Sequence, residues 1–271
     1  MTLHEYVTTS LPTSPDAHSA FEGFVTLAAA DPHVLGVVLS GSRAREGMAN
    51  DESDYDAYVI ISDDASAEVA GLDGFRSAFL DLSMMTMPQF RAHALPDEAS
   101  SWDAYAFVGA KVVFDRTGGV IGGLAAEKAV LTEQHARRRV TAHLDAYTNS
   151  TYRSLKAHRD GRLLAARLDA AEGIPHLLTT LFALHRRIRP YNKYLPWELE
   201  HRPLGQPCWS AQVLLSRLER IHADADPAAQ RAVFAEIERA VRNQEPRDQE
   251  HTAMLDAWGD DLHFLRADPL T

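Results

Sequence analysis

The stretch "GVVLSGSRAREGMANDESDYDAYVII", Gly36 to Ile61, decides how this chain is read. It leaves an apolar segment, Val34 to Leu39, at the corner Ser40-Gly41-Ser42, crosses a polar loop, and re-enters an apolar segment carrying Asp54 and Asp56. Short apolar runs bounded by Gly, Ser and Asp read as β-strands, so the stretch predicts strand, loop, strand. Residues i and i+2 of a strand project from one face, which sends Asp54 and Asp56 one way and Tyr55 and Ala57 the other. Two neighbouring carboxylates repel each other, and a pair of hard oxygen ligands selects Mg²⁺ or Mn²⁺. At the corner, Gly41 lets backbone approach a ligand closely and Ser42 offers a hydroxyl and an N–H, an arrangement that suits a phosphate.

A third carboxylate shares this character. Asp81 stands within Ala78-Phe79-Leu80-Asp81-Leu82-Ser83-Met84-Met85, where apolar neighbours would make an unpaired charge costly. If that strand lies beside the Asp54 strand, three carboxylates converge next to a phosphate corner, which is the equipment for two-metal phosphoryl or nucleotidyl transfer. The alternative reading pairs Asp81 with Arg76 or Arg91. For Arg45, the alternative is a solvent-facing side chain or a surface pair with Glu46, Asp51 or Glu52.

The order Leu39-Ser40-Gly41-Ser42-Arg43-Ala44-Arg45, then Ser53-Asp54-Tyr55-Asp56-Ala57-Tyr58, then Asp81, resembles the signature of the DNA polymerase β-like nucleotidyltransferase superfamily. The layout is similar to that of antibiotic nucleotidyltransferases, acting on aminoglycosides or lincosamides, which join a small catalytic domain to a C-terminal helical domain. The resemblance implies that Gly41 and Ser42 hold a triphosphate, that Asp54 and Asp56 bind Mg²⁺ with two ions in play, and that Asp81 is the third ligand or the base. Arg43 and Arg45 would be further cations beside the phosphates. The stretch Arg186 to Tyr194 resembles the place where relatives present a basic residue, and Lys193, one of only four lysines, is the expected triphosphate contact. The activity implied is transfer of AMP from ATP, or of another NMP from its NTP, to a small-molecule hydroxyl. Alternatives are a protein or RNA acceptor, as in toxin–antitoxin systems, or a nucleotide-binding protein without turnover.

The rest of the chain divides in two. Asp16 is placed to cap a helix to about Ala30, after a Thr/Ser/Pro-rich arm over residues 1–15. Strands are expected over Val34–Ser40, Asp54–Ser62, Ala78–Met85 and Ala110–Asp115, with helical turns at Pro88–Ala94 and Ser101–Val108 between the last two. From about Ile121 a 3.6-residue apolar recurrence predicts helices near 121–130, 133–158, 162–188, 208–223, 227–243 and 246–264, with Pro175 kinking or splitting the third. The fold class is thus an α/β domain over residues 1–120 with a small mixed sheet, then an all-α helical bundle over 121–271, with the active site in the cleft between them.

Composition narrows the partners. Residues 1–125 hold 18 acidic and 6 basic side chains, a charge of −12, whereas 126–271 hold 20 and 21, a charge of +1. A whole-chain charge of −11 argues against duplex nucleic acid, and the acidic front half suits metal ions and cationic substrates. Acids and aromatics at Asp97, Glu98, Trp102 and Asp103, and again at Trp197 to Glu200, are what an amino-sugar pocket would use. No apolar run reaches the ~20 residues of a membrane span. A single cysteine, Cys208, excludes an internal disulfide, and no lysine or arginine precedes Arg43 as a signal peptide would require, so a reducing cytoplasm is the expected location.

Overall fold

The structure is a computed structural model describing residues 1–95, 101–244 and 249–266. It divides into two compact units, Met1–Val130 and Leu131–Thr271. In the first, the four expected strands form as β1 Val34–Leu39, β2 Tyr55–Ile61, β3 Leu80–Thr86 and β4 Lys111–Asp115. They make one sheet in the order β3-β2-β1-β4. β1 is antiparallel to both β2 and β4, and β2 runs parallel to β3, so the sheet is mixed. Helix α1, Ala17–Ala30, starts where the Asp16 carboxylate accepts the Ser19 N–H at 2.8 Å and stops ahead of Pro32.

Alternation along the strands gives the sheet two different faces. Tyr55, Ala57, Val59 and Ile61 of β2 join Leu80, Leu82 and Met84 of β3 in a core against Phe21 and Phe24 of α1. On the other face, Val38 and Ile60 pack with Phe90, Phe107 and Ile121. Phe90 belongs to α2, Met87–Ala92, and Ile121 to α3, Val120–Lys128, which lies on the sheet within the first unit. Gly36 permits that packing, because a Cβ there would stand 2.5 Å from Ile121 Cδ1 and 2.9 Å from the Phe114 carbonyl oxygen. At the end of α3, Lys128 is 1% exposed, and its ammonium donates to the carbonyls of Arg91 at 3.1 Å and His93 at 2.6 Å. It closes the C-terminus of α2, where a cation is favoured.

Residues 1–15 are a correction to the expected loose arm. They form short helical turns at Leu3–Glu5, Tyr6–Ser10 and Leu11–Thr13. Leu3, Val7 and Leu11 recur every fourth residue and are buried in the α1 core, and the Tyr6 hydroxyl donates to the Ala20 carbonyl at 3.0 Å. The Thr/Ser/Pro content of the segment masked this periodicity.

The second unit is helical, with α4 Glu133–Arg159, α5 Leu163–Leu184, α6 Ala211–Asp224, α7 Pro227–Arg242, α8 Gln249–Asp256 and α9 Asp261–Arg266. α4 and α5 are antiparallel: Arg153 pairs with Asp169 at 2.6 Å, and further back along α4 His143 Nδ1 meets His176 Nδ1 at 2.9 Å. Burial first, then His176, Arg139 and Arg189, pushes His143 down to about 4, so its imidazole is held neutral at pH 7. Pro175 does not split α5; it lies within the helix on its exposed side. The last expected helix is two, α8 and α9, and Pro246 lies outside the described residues.

Because Leu11 is fully buried, Leu11→Ala should lower the unfolding free energy by about 3 kcal/mol in denaturant titrations. A loose arm would give no change.

Candidate active site

The parallel register of β2 with β3 sets Asp56 opposite Asp81. Aligned partners project from the same face, and Asp54, two residues before Asp56, shares that face at the entry to β2. One carboxylate oxygen from each of Asp54, Asp56 and Asp81 falls within a set whose members all lie within 4.8 Å of one another. The three side chains are half-buried. This face is acidic where β2 begins and apolar further along, where Tyr58 and Ile60 meet Phe107 and Phe90.

The electrostatics follow from that crowding. Burial, followed by the nearby Asp54 charge, raises Asp81 above its usual 3.8, against the opposing pull of the Ser77 backbone N–H and of Arg76. Arg76 Nε stands 3.8 Å from Asp81 Oδ2, but the Arg76 side chain is 82% exposed. Solvent screens such a pair, which is why burial and repulsion win. The Arg76 pairing considered from the sequence therefore exists and leaves the carboxylate under strain of charge. Three oxygens this close, half-buried and mutually repelling, fit a divalent cation of the hard, oxygen-seeking kind.

Beside the acids lies the Ser40-Gly41-Ser42 corner. The Ser40 N–H donates to the Asp56 carbonyl at 2.8 Å and fastens the end of β1 to β2. Gly41 has φ +66°, and a Cβ there would stand 1.8 Å from Asp56 Oδ2. Only glycine satisfies both the left-handed backbone and the contact with the carboxylate. Ser42 follows, buried.

Arg43 and Arg45, expected as cations beside phosphates, are both turned toward backbone carbonyls. The Arg43 guanidinium donates twice to the Ser53 carbonyl, at 3.1 and 2.8 Å, and lies 4.9 Å over the Tyr55 ring, closing the loop that joins β1 to β2. Arg45 is 3% exposed rather than solvent-facing. Its guanidinium donates to the carbonyls of Gly41, of Tyr105 at 3.1 Å and of Val108 at 2.7 Å. It thus braces the glycine corner from inside the protein. Nothing in an Arg-x-Arg tripeptide separates this role from phosphate binding; the signal would be the unpaired carbonyls of a distant segment, invisible in sequence.

Lys193 belongs to the second unit, on a turn at Asn192–Tyr194, with an exposed side chain whose ammonium sits 4.8 Å over the Tyr194 ring. Asp97 and Glu98 lie outside the described residues. Asp103 is described, and with Asp73, Ser83, Gln89 and His93 it lines a cavity of about 540 Å³ along β3. Of these, the sequence singled out only Asp103.

A solved structure similar to this chain is that of a nucleotidyltransferase-like protein from Exiguobacterium sibiricum 255-15, with 14% sequence identity, coverage of 92% of this chain and 89% of that one, and a TM-score of 0.30. No protein-family model matches the chain, and no curated protein does. A TM-score this low leaves the chain's own geometry as the ground for a functional reading. Among the described residues, no helix is long and apolar enough to cross a membrane.

The Asp81 shift has a definite sign. Its folded value lies above the unfolded 3.8, so its contribution favours the fold below that pH and is lost as pH rises through the folded value. Carboxyl-carbon NMR should show Asp81 titrating above 3.8, and Asp54→Asn should move it downward by removing the repelling charge. An unmoved titration would show that Asp54 does not act on Asp81.

Proposed function

We propose that this protein is a Mg²⁺-dependent nucleotidyltransferase that moves an NMP, AMP from ATP, onto a hydroxyl of a small molecule and releases pyrophosphate. The observation carrying this reading is the convergence of Asp54, Asp56 and Asp81 within 4.8 Å beside a corner that only glycine can make. The acidic first half, −12 over residues 1–125, supports a cationic acceptor of the aminoglycoside type.

Asp54, Asp56 and Asp81 would hold Mg²⁺, which when bound would supply positive charge to neutralise the triphosphate. Gly41 and Ser42 receive the phosphates through backbone N–H and hydroxyl. Asp81, on the same face as Asp56, takes the proton from the acceptor hydroxyl. The acceptor oxygen forms its bond to the α-phosphorus as the bond to pyrophosphate breaks, and the pair of electrons leaves with pyrophosphate. The rate gain comes mainly from positioning and charge neutralisation.

A pyrophosphate-release assay with each NTP, Mg²⁺ and a panel of aminoglycosides, lincosamides and polyols tests this directly. Asp54→Asn should cut turnover by about 10³-fold while leaving the melting temperature unchanged or higher, since it removes a repulsion. Wild-type turnover in that variant would contradict the metal assignment.

A further inference from the structure

The helical unit carries a groove that the nucleotidyl-transfer reading leaves unused. It lies between α5 and α6 and has a volume of about 470 Å³, the size of a small-molecule site. The two helices run antiparallel there, since Arg167 meets Asp224 at 3.6 Å while Leu178 and Leu215 line the same groove. Ala171, Pro175 and Leu178 of α5, Leu215 and Leu218 of α6, and Leu195 at the start of the short helix Leu195–His201 give it apolar walls. Leu164 and Leu168, 72% and 64% exposed, continue the Ala171 and Pro175 stripe along α5 at helical spacing. From Leu178 back to Leu164 that stripe extends about 21 Å at the helical rise per residue.

The end away from Leu164 is charged. Arg189 lines the groove there, half-buried. Its Nη1 donates to the Pro175 carbonyl at 3.3 Å and its Nη2 to Asn192 Oδ1 at 3.0 Å, so two of the guanidinium's N–H groups are used, both on neutral acceptors. Its Nε is buried without a hydrogen-bond partner, and among the described residues no carboxylate pairs with the side chain. Burial pulls the guanidinium below its ordinary value, although an arginine at such a site stays charged at pH 7. The groups around it add positive charge: Arg139 and Arg189 both act on His143, which meets His176, the residue after Pro175. The lining's one acid, Glu219, is exposed on α6, a turn from the exposed His222, at the rim. A guanidinium taken partly out of water with no counter-charge is costly, and a ligand carboxylate would supply both the charge and paired N–H···O bonds.

We propose that this groove binds a free medium-chain fatty acid, its carboxylate on Arg189 and its chain laid between α5 and α6 toward Leu168. One guanidinium matches a monoanion, whereas a phosphate dianion would exceed it and meet Glu219 at the rim. An unbranched chain fits walls of aliphatic side chains whose polar groups stand only at Arg189 and Asn192 and at the rim. The groove belongs to the second unit and Asp54, Asp56 and Asp81 to the first, so the proposal stands apart from the nucleotidyl-transfer reading.

The test is calorimetry on the full chain with octanoate, octan-1-ol and acetate. The wild type should bind octanoate saturably at one site, about tenfold tighter than the alcohol, and acetate not measurably. Arg189→Met should weaken octanoate about tenfold and erase the preference for acid over alcohol; Leu215→Trp, which fills the groove and keeps Arg189, should weaken both ligands. Equal binding of acid and alcohol by the wild type, no saturable octanoate binding, or unchanged affinity in both variants would overturn the proposal. If Arg189→Met loses its thermal transition, the wild-type preference and the Leu215→Trp result decide alone. A dimer in sedimentation that Leu168→Asp dissociates, with no octanoate bound, would give the face to a second copy and overturn the fatty-acid assignment.

Discussion

Everything in the candidate site depends on the parallel register that puts Asp56 beside Asp81. A shift of one residue in that pairing would turn Asp81 toward the α1 core and bring Leu80 or Leu82 to the acid face. The register is held by burial, because Leu80, Leu82 and Met84 alternate with Asp81 and Ser83 and are inserted against Phe21 and Phe24. A repulsive cluster of carboxylates is therefore maintained by a hydrophobic core on the opposite face of the same two strands. The cost of crowding appears where it should, in the raised Asp81.

The corner beside the cluster is held by a different device. Gly41 must keep a left-handed backbone within contact of Asp56, and its carbonyl is held by the buried Arg45 guanidinium, which also binds the carbonyls of Tyr105 and Val108. Those residues lead into β4, so the corner is tied to a segment more than sixty residues away. Lys128 does the same for α2, binding the carbonyls of Arg91 and His93 from the end of α3. In both places a buried cation donates to backbone carbonyls of a distant segment.

How much of this was legible in the sequence follows from the range of each interaction. The strands, the shared face of Asp54 and Asp56 and the identity of the third acid come from local alternation and spacing, and the structure brings those three carboxylates together. Arg43 and Arg45 carried the right charge but gave no sign of their direction, since their acceptors are carbonyls fixed only after folding. In the segment 1–15 a polar composition outweighs Leu3, Val7 and Leu11, whose spacing is helical and whose side chains are buried. The cavity along β3 was mostly invisible, because Asp73 precedes β3 in sequence while Gln89 and His93 come from α2 and its C-terminal cap, and they line one cavity only after folding.

The central claim is that the three carboxylates form one metal-binding unit beside a phosphate corner. Mn²⁺ binding, followed by electron paramagnetic resonance with an ATP analogue carrying a non-cleavable α,β-methylene bridge, tests it most directly. The account predicts that the wild type immobilises Mn²⁺ and that Asp56→Asn or Asp81→Asn each weakens this by at least about tenfold. Undiminished Mn²⁺ binding with all three aspartates replaced by asparagine would contradict it.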